Sequence, residues 1–190
     1  MNEAPVSRRD VDETGRGSEV WSLSTDEAYL HTLLKDIFEN HWQSIVFGPI
    51  IEGGAFEFRC PCAPKSITLF DGYLTVHFGG THFHLCIGEN KGSPKNPTPD
   101  ALKKQRRTRR AELFRNFDRE GCALSWGLRL FNGHDEQLIT IFFPNPFLTD
   151  ADGLADDPDW SRLATWEAIG RTYLGRELDE ADRTGKGFRQ

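Results

Sequence analysis

Apolar and polar residues alternate through Tyr73–Phe78 and His82–Ile87, on either side of the pair Gly79-Gly80. Alternation at period two predicts two strands, and a two-residue glycine loop between them predicts a tight hairpin. That loop sets the register: Phe78 opposite Thr81, His77 opposite His82, Thr75 opposite His84 and Tyr73 opposite Cys86. One face is then apolar, made of Leu74, Val76, Phe78, Phe83, Leu85 and Ile87, and the other carries Tyr73, Thr75, His77, His82, His84 and Cys86. Elsewhere the pattern changes to helical spacing. Ser24 or Thr25 caps a helix running to about His41, with Ala28, Leu30, Leu33, Leu34, Ile37 and Phe38 on its apolar side. Residues 100–118 predict a second helix and 157–175 a third, with Trp160, Leu163, Trp166, Ile169 and Tyr173 along one side and a glycine at its end. Further strand-like runs fall at about 44–51, 55–60, 66–70, 122–131 and 137–143, separated by Gly, Pro and an Asn132-Gly133 turn, with residues 89–99 as a loop.

This order of elements is that of an α+β fold, a mostly antiparallel sheet with helices covering one face. The apolar face of the hairpin is expected against those helices, with the histidine face turned away from them. At 190 residues and 37% hydrophobic, one domain is expected, over residues 24–175. It is flanked by a disordered polar tail, 1–23, and a charged tail, 176–190. No apolar run approaches the roughly 20 residues of a membrane helix, and the amino terminus lacks the apolar stretch of a secretory signal, which predicts a cytoplasmic protein without a membrane partner. There Cys60, Cys62, Cys86 and Cys122 are expected as thiols or metal ligands rather than disulfides. The net charge of −6 argues against nucleic acid, although eight basic residues gather in 100–119. A homo-oligomer is left open.

Chemistry enters with the hairpin. His77, His82, His84 and Cys86 are the candidate metal ligands, zinc first, iron or copper next, since imidazole and thiolate suit all three. The competing reading makes them outward polar positions on a half-exposed sheet, with Cys86 a small packing residue. Arg106 and Arg110 fall in the apolar stripe of the helix predicted over 100–118, so they are the candidates for holding a small anionic ligand. Cys60 and Cys62 lie two apart on an extended segment and point the same way. Glycine-rich phosphate loops, nucleophile elbows and dinucleotide fingerprints are absent from the sequence. The leading expectation is a metal-binding protein, a metalloenzyme acting on a small anionic substrate being one form of it. The alternatives are a non-catalytic module for haem or another anionic ligand, in which a histidine or Cys86 holds the iron and the arginines meet the propionates, and a metal-free structural or assembly protein.

The strings HFHLCIG at 82–88, WGLRLFNG at 126–133 and FFPNPFLTD at 142–150 resemble those of an uncharacterised family of bacterial domains of unknown function, over most of residues 25–175. The resemblance implies a self-contained domain and no particular activity. His82, His84 and Glu89 also resemble part of the first motif of the cupin superfamily. The glycines flanking that motif, and any second cupin motif, are missing.

Overall fold

The computed structural model describes residues 6–188 apart from 52, 152 and 178. Along the chain run β1 (Ser7–Val11), β2 (Gly17–Ser22), α1 (Glu27–Asn40), β3 (Val46–Gly48), β4 (Ile50–Ile51), β5 (Gly54–Ala55), β6 (Phe58–Arg59), β7 (Ser66–Phe70), β8 (Tyr73–His77), β9 (His82–Cys86), β10 (Gly92–Ser93), β11 (Asn96–Pro97), α2 (Asp100–Arg106), β12 (Arg110–Phe117), β13 (Ala123–Phe131), β14 (Gln137–Phe142) and α3 (Ala164–Leu174). Short 3-10 turns form at Trp160–Leu163 and Glu180–Arg183. The fold is α+β with mostly antiparallel pairing. No helix of the described residues is long and apolar enough to cross a membrane. The chain divides into two compact units, one of residues 1–22, 112–128 and 141–190, the other of residues 23–111 and 129–140.

In the first unit the strands neighbour one another in the order β1-β2-β12-β13-β14. β1 and β2 pair as a hairpin through a turn in which the Asp12 carboxylate accepts from the Thr14 and Arg16 amides. Residues 1–23 were expected as a tail; of these, 1–5 lie outside the described residues, and 7–11 and 17–22 are strands, with Val20 and Trp21 buried. The apolar signal there is thin because β1 is an edge strand, largely in water. At the other end of the chain, residues 178, 189 and 190 of the expected charged tail lie outside the described residues. Within the rest, Asp182 is buried, 2% exposed.

Asp182 anchors a buried polar cluster. Its Oδ1 accepts from Trp126 Nε1 at 2.9 Å and Arg115 Nη1 at 2.8 Å, and its Oδ2 from Trp166 Nε1 at 2.9 Å and Arg176 Nη2 at 3.1 Å. Arg115 also bonds Glu19 at 2.7 Å and Asp179 at 2.8 Å. The Arg176 guanidinium lies over the Trp21 and Trp166 rings, 4.8 and 5.1 Å from their centroids. A buried guanidinium needs this many acceptors, since leaving it unpaired costs several kcal/mol. Burial acts to raise the Asp179 carboxyl, but the Ala181 amide and the Arg115 guanidinium outweigh it and hold Asp179 down at about 2 against an ordinary 3.8. Glu19 is lowered too: burial opposes the shift, and the Ser7 hydroxyl and Arg115 prevail. Carboxyls whose folded values are depressed contribute stability above their unfolded values and lose it as pH falls toward the folded ones. The tertiary signal of Trp126 and Trp166, read by near-ultraviolet circular dichroism, is therefore expected to hold down to about pH 4.5 and to collapse between there and about pH 2. A signal that is flat to pH 2 would rule out this ionic cluster as a determinant of stability.

In the second unit the strands follow the order β13-β14-β3-β6, and β7-β8-β9 form a separate three-stranded sheet. Asp26, rather than Ser24 or Thr25, caps α1, accepting from the Ala28 and Tyr29 amides at 3.0 Å. The buried stripe Leu30, Leu33, Leu34, Ile37 and Phe38 is the one the spacing predicts. Phe38 packs its ring on Phe47, Phe78 and Phe83, with centroids 5.2, 6.5 and 5.3 Å away. Thus α1 covers the apolar face of the hairpin.

The helix expected over 100–118 is where sequence and structure part. Only Asp100–Arg106 is helical, and Arg110–Phe117 is a strand. The chain leaves the helix at Arg107, with φ −65° and ψ 139°, and the Thr108 amide and hydroxyl both donate to the Cys86 carbonyl at 2.9 Å. β12 is buried on both faces, so it lacks period two. Its Leu113, Phe114 and Phe117 happen to fall at helical spacing.

Candidate functional site

β7 and β8 join through Asp71-Gly72, both at positive φ, 47° and 79°, as a type I′ turn requires. A Cβ on Gly72 would come within 2.6 Å of the Glu89 carbonyl carbon, so the turn and the chain beyond β9 lie in contact. The Asp71 carboxylate then holds that chain, accepting from Asn90 Nδ2 and the Lys91 amide at 2.7 Å and the Gly92 amide at 3.0 Å. These amides, Lys91 first, keep the Asp71 carboxyl below its ordinary value. β8 and β9 join through Gly79-Gly80 with positive φ at Gly79 alone, and the Phe78 amide donates to the Thr81 carbonyl at 2.8 Å. Every pair of the anticipated register is present: Tyr73 with Cys86, Thr75 with His84, His77 with His82.

The outward face of this sheet is therefore Ser66, Thr68 and Phe70 from β7, Tyr73, Thr75 and His77 from β8, and His82, His84 and Cys86 from β9. Its side chains are not equivalent. His82 and His84 are exposed, their rings edge to face at 5.0 Å. His84 Nδ1 is bonded to the Thr75 hydroxyl at 2.7 Å, and its Nε2 makes no hydrogen bond among the described residues. His77 stacks on His82 at 5.8 Å, but its Nδ1 accepts from the Gly79 amide at 3.2 Å. In neutral His77 the other ring nitrogen then carries the proton, which leaves no lone pair for a metal. Cys86 is 5% exposed and bonds the Gly88 carbonyl, and burial pushes its thiol up despite Tyr73, Arg106 and Arg107 nearby. Phe70 is 83% exposed.

Among the described residues no group of three or more His, Cys, Asp or Glu converges to hold a metal ion. Of the four candidate ligands, only His82 and His84 present open imidazoles. The Cys60–Cys62 pair adds no ligand set: burial, with the Cys62 thiol beside it, pushes Cys60 up to about 12, and Cys62 donates to the Phe78 carbonyl at 3.1 Å. The two candidate arginines separate. Arg110 donates to the Asp135 carboxylate at 2.6 Å and lies 3.5 Å from the centroid of the Phe131 ring. Arg106 stays near the hairpin, its Nη1 donating to Asn90 Oδ1 at 2.8 Å. Its neighbour Arg107, absent from the sequence-based candidates, has a buried Nε with no hydrogen-bond partner among the described residues. Arg106 is held by Asn90, and Arg107 directly precedes Thr108, whose amide and hydroxyl donate to the Cys86 carbonyl, so the backbone that carries both arginines passes the Cys86 end of β9. No sequence signal marks Arg107, since it is one of eight basic residues in 100–119.

The fold is similar to that of a crystal structure of ChuX, with 13% sequence identity, 84% of this chain and 78% of that chain covered, and a TM-score of 0.51. No curated protein matches the sequence. Residues 7–175 match the profile of DUF7676, a family of unknown function, and the chain belongs to that family.

Proposed function

We propose that this chain is a non-catalytic cytoplasmic binding module for a planar anionic ligand, with haem as the ligand and the outward face of β7-β8-β9 as the platform. The observation that carries this reading is the Thr75–His84 hydrogen bond beside the exposed rings of His82 and His84. With the proton on Nδ1, donated to Thr75, the His84 Nε2 lone pair points outward, and a hydrogen bond of this kind orients a ligating imidazole. A zinc centre needs three or four protein ligands, whereas haem iron needs one or two; this face supplies two open imidazoles. Phe70 and Tyr73 offer aromatic surface to a flat ring. Cys86 lies two residues beyond His84, roughly 7 Å along the strand, and beyond it Arg106, held by Asn90, would meet a carboxylate. The likeness to ChuX is one of fold alone.

The anionic half of the reading is tested by fluorescence-quenching titrations with protoporphyrin, which carries the propionates and no iron. Arg106→Ala is expected to weaken binding by about 10- to 100-fold, the range for losing a hydrogen bond to a charged group. An unchanged affinity would remove Arg106 from the site.

A further inference from the structure

We infer that Asp71 and Asn90 are positioning residues that make the site selective for a carboxylate. Through hydrogen bonds in series they hold the Arg106 guanidinium with one edge left to the ligand, an inference that rests on the binding reading proposed for the hairpin face. Asp71 stands in the turn that joins β7 to β8, directly after Phe70, which pairs with Tyr73 at that end of the platform. Its Oδ2 accepts from Asn90 Nδ2 at 2.7 Å. At the other end of the same amide, Asn90 Oδ1 accepts from Arg106 Nη1 at 2.8 Å and from the Thr98 hydroxyl at 3.1 Å. Asn90 is buried, whereas Arg106 is exposed. A buried amide thus links the turn of the platform to an arginine that reaches water at the end of α2.

The order of the groups fixes their orientation. A carboxylate only accepts and a guanidinium only donates, so an amide set between them turns its nitrogen to Asp71 and its oxygen to Arg106. Thr98 holds that oxygen from a second side, and Asp71 also accepts from the neighbouring Lys91 and Gly92 amides, so Asn90 is tied at both ends. Among the described residues Asn90 is the one hydrogen-bond acceptor of Arg106, which has no ion-pair partner there. Arg110 and Arg115, by contrast, meet carboxylates directly. A neutral acceptor restrains the guanidinium without cancelling its charge. With Nη1 held, the Nε–Nη2 edge is left for the parallel, bidentate pairing a guanidinium makes with a carboxylate. An arginine already restrained loses less freedom when it binds, which favours the ionised ligand over its neutral ester.

Fluorescence-quenching titrations of the full chain compare protoporphyrin with protoporphyrin dimethyl ester, which has the same ring and no ionised carboxylate. The parent protein is expected to favour the acid by about tenfold or more. Asn90→Ala is expected to weaken protoporphyrin binding by about three- to tenfold, the range for one hydrogen bond, and to change ester binding by less than about twofold. In the Arg106→Ala background the same substitution is expected to cost protoporphyrin less than about twofold, because a residue acting through another is not additive with it. A role in holding the loop alone would weaken both porphyrins and would add to Arg106→Ala. Asp71→Asn, which asparagine tolerates at positive φ, is expected to give the same loss for the acid alone, and it decides the matter if Asn90→Ala fails to fold. Unchanged affinity in folded Asn90→Ala, equal losses for acid and ester, or additive losses with Arg106→Ala would overturn this inference and leave Arg106 in its place. A parent protein that binds neither porphyrin would overturn the binding reading and this inference with it.

Discussion

Asp182→Ala is expected to destabilise the protein by about 4 kcal/mol or more and to lower the melting temperature by about 10 °C or more. The side chain closes four contacts at once, to Arg115, Arg176 and the two indole N–H groups of Trp126 and Trp166. Breaking a buried ion pair from one side costs about 3–5 kcal/mol, and each orphaned indole donor adds about 1–3 kcal/mol before relaxation. Because these groups share one carboxylate, their costs do not add. Asp182→Asn keeps one carbonyl acceptor and the volume but loses the charge, so an intermediate loss of about 2–3 kcal/mol is expected. Urea denaturation read at the tryptophans measures both. A loss below about 1 kcal/mol for Asp182→Ala would mean that the 3-10 turn Glu180–Arg183 does not hold the core together.

His84→Ala is expected to weaken haem binding by at least about 100-fold, since it removes the imidazole held with Nε2 outward. Thr75→Val keeps that imidazole and removes only the hydroxyl that orients it. An effect of about tenfold is expected there, the scale of losing an orienting partner. His82→Ala removes an imidazole without a hydrogen bond of its own among those described, so its effect should be smaller than that of His84→Ala. Equal losses for all three variants would contradict the specific role given to His84.

The hairpin was legible in the sequence to the level of single residue pairs. Alternation fixes which side chains share a face, and the Gly79-Gly80 loop fixes who stands opposite whom, so both inputs are local. α1 was legible for the same reason, save for its cap, where three polar residues in a row, Ser24, Thr25 and Asp26, compete. Strand β12 was not, because Glu112 and Arg115 are buried in it, and charged residues at buried positions erase the hydrophobic pattern on which such readings depend. Arg115 is tolerated there by Glu19, 96 residues away in sequence, and by Asp182, 67 residues away. No window along the chain contains both partners. The same non-locality hid the docking of the C-terminal segment, whose polar composition is that of a tail. At the candidate site, the face and its histidines could be foreseen, but their inequality could not. The Gly79 amide on His77, the Thr75 hydroxyl on His84 and the burial of Cys86 are matters of side-chain geometry. The separation of Arg106 from Arg110 follows from the end of α2 at Arg106.

An absorption titration of the untagged protein with ferric haem tests the central claim most directly. The account predicts a saturable shift of the Soret band with an end point of one haem per chain, lost in the His82→Ala/His84→Ala double variant while the protein remains folded. A band that stays at the position of free haem, or a shift that survives in the double variant, would contradict it.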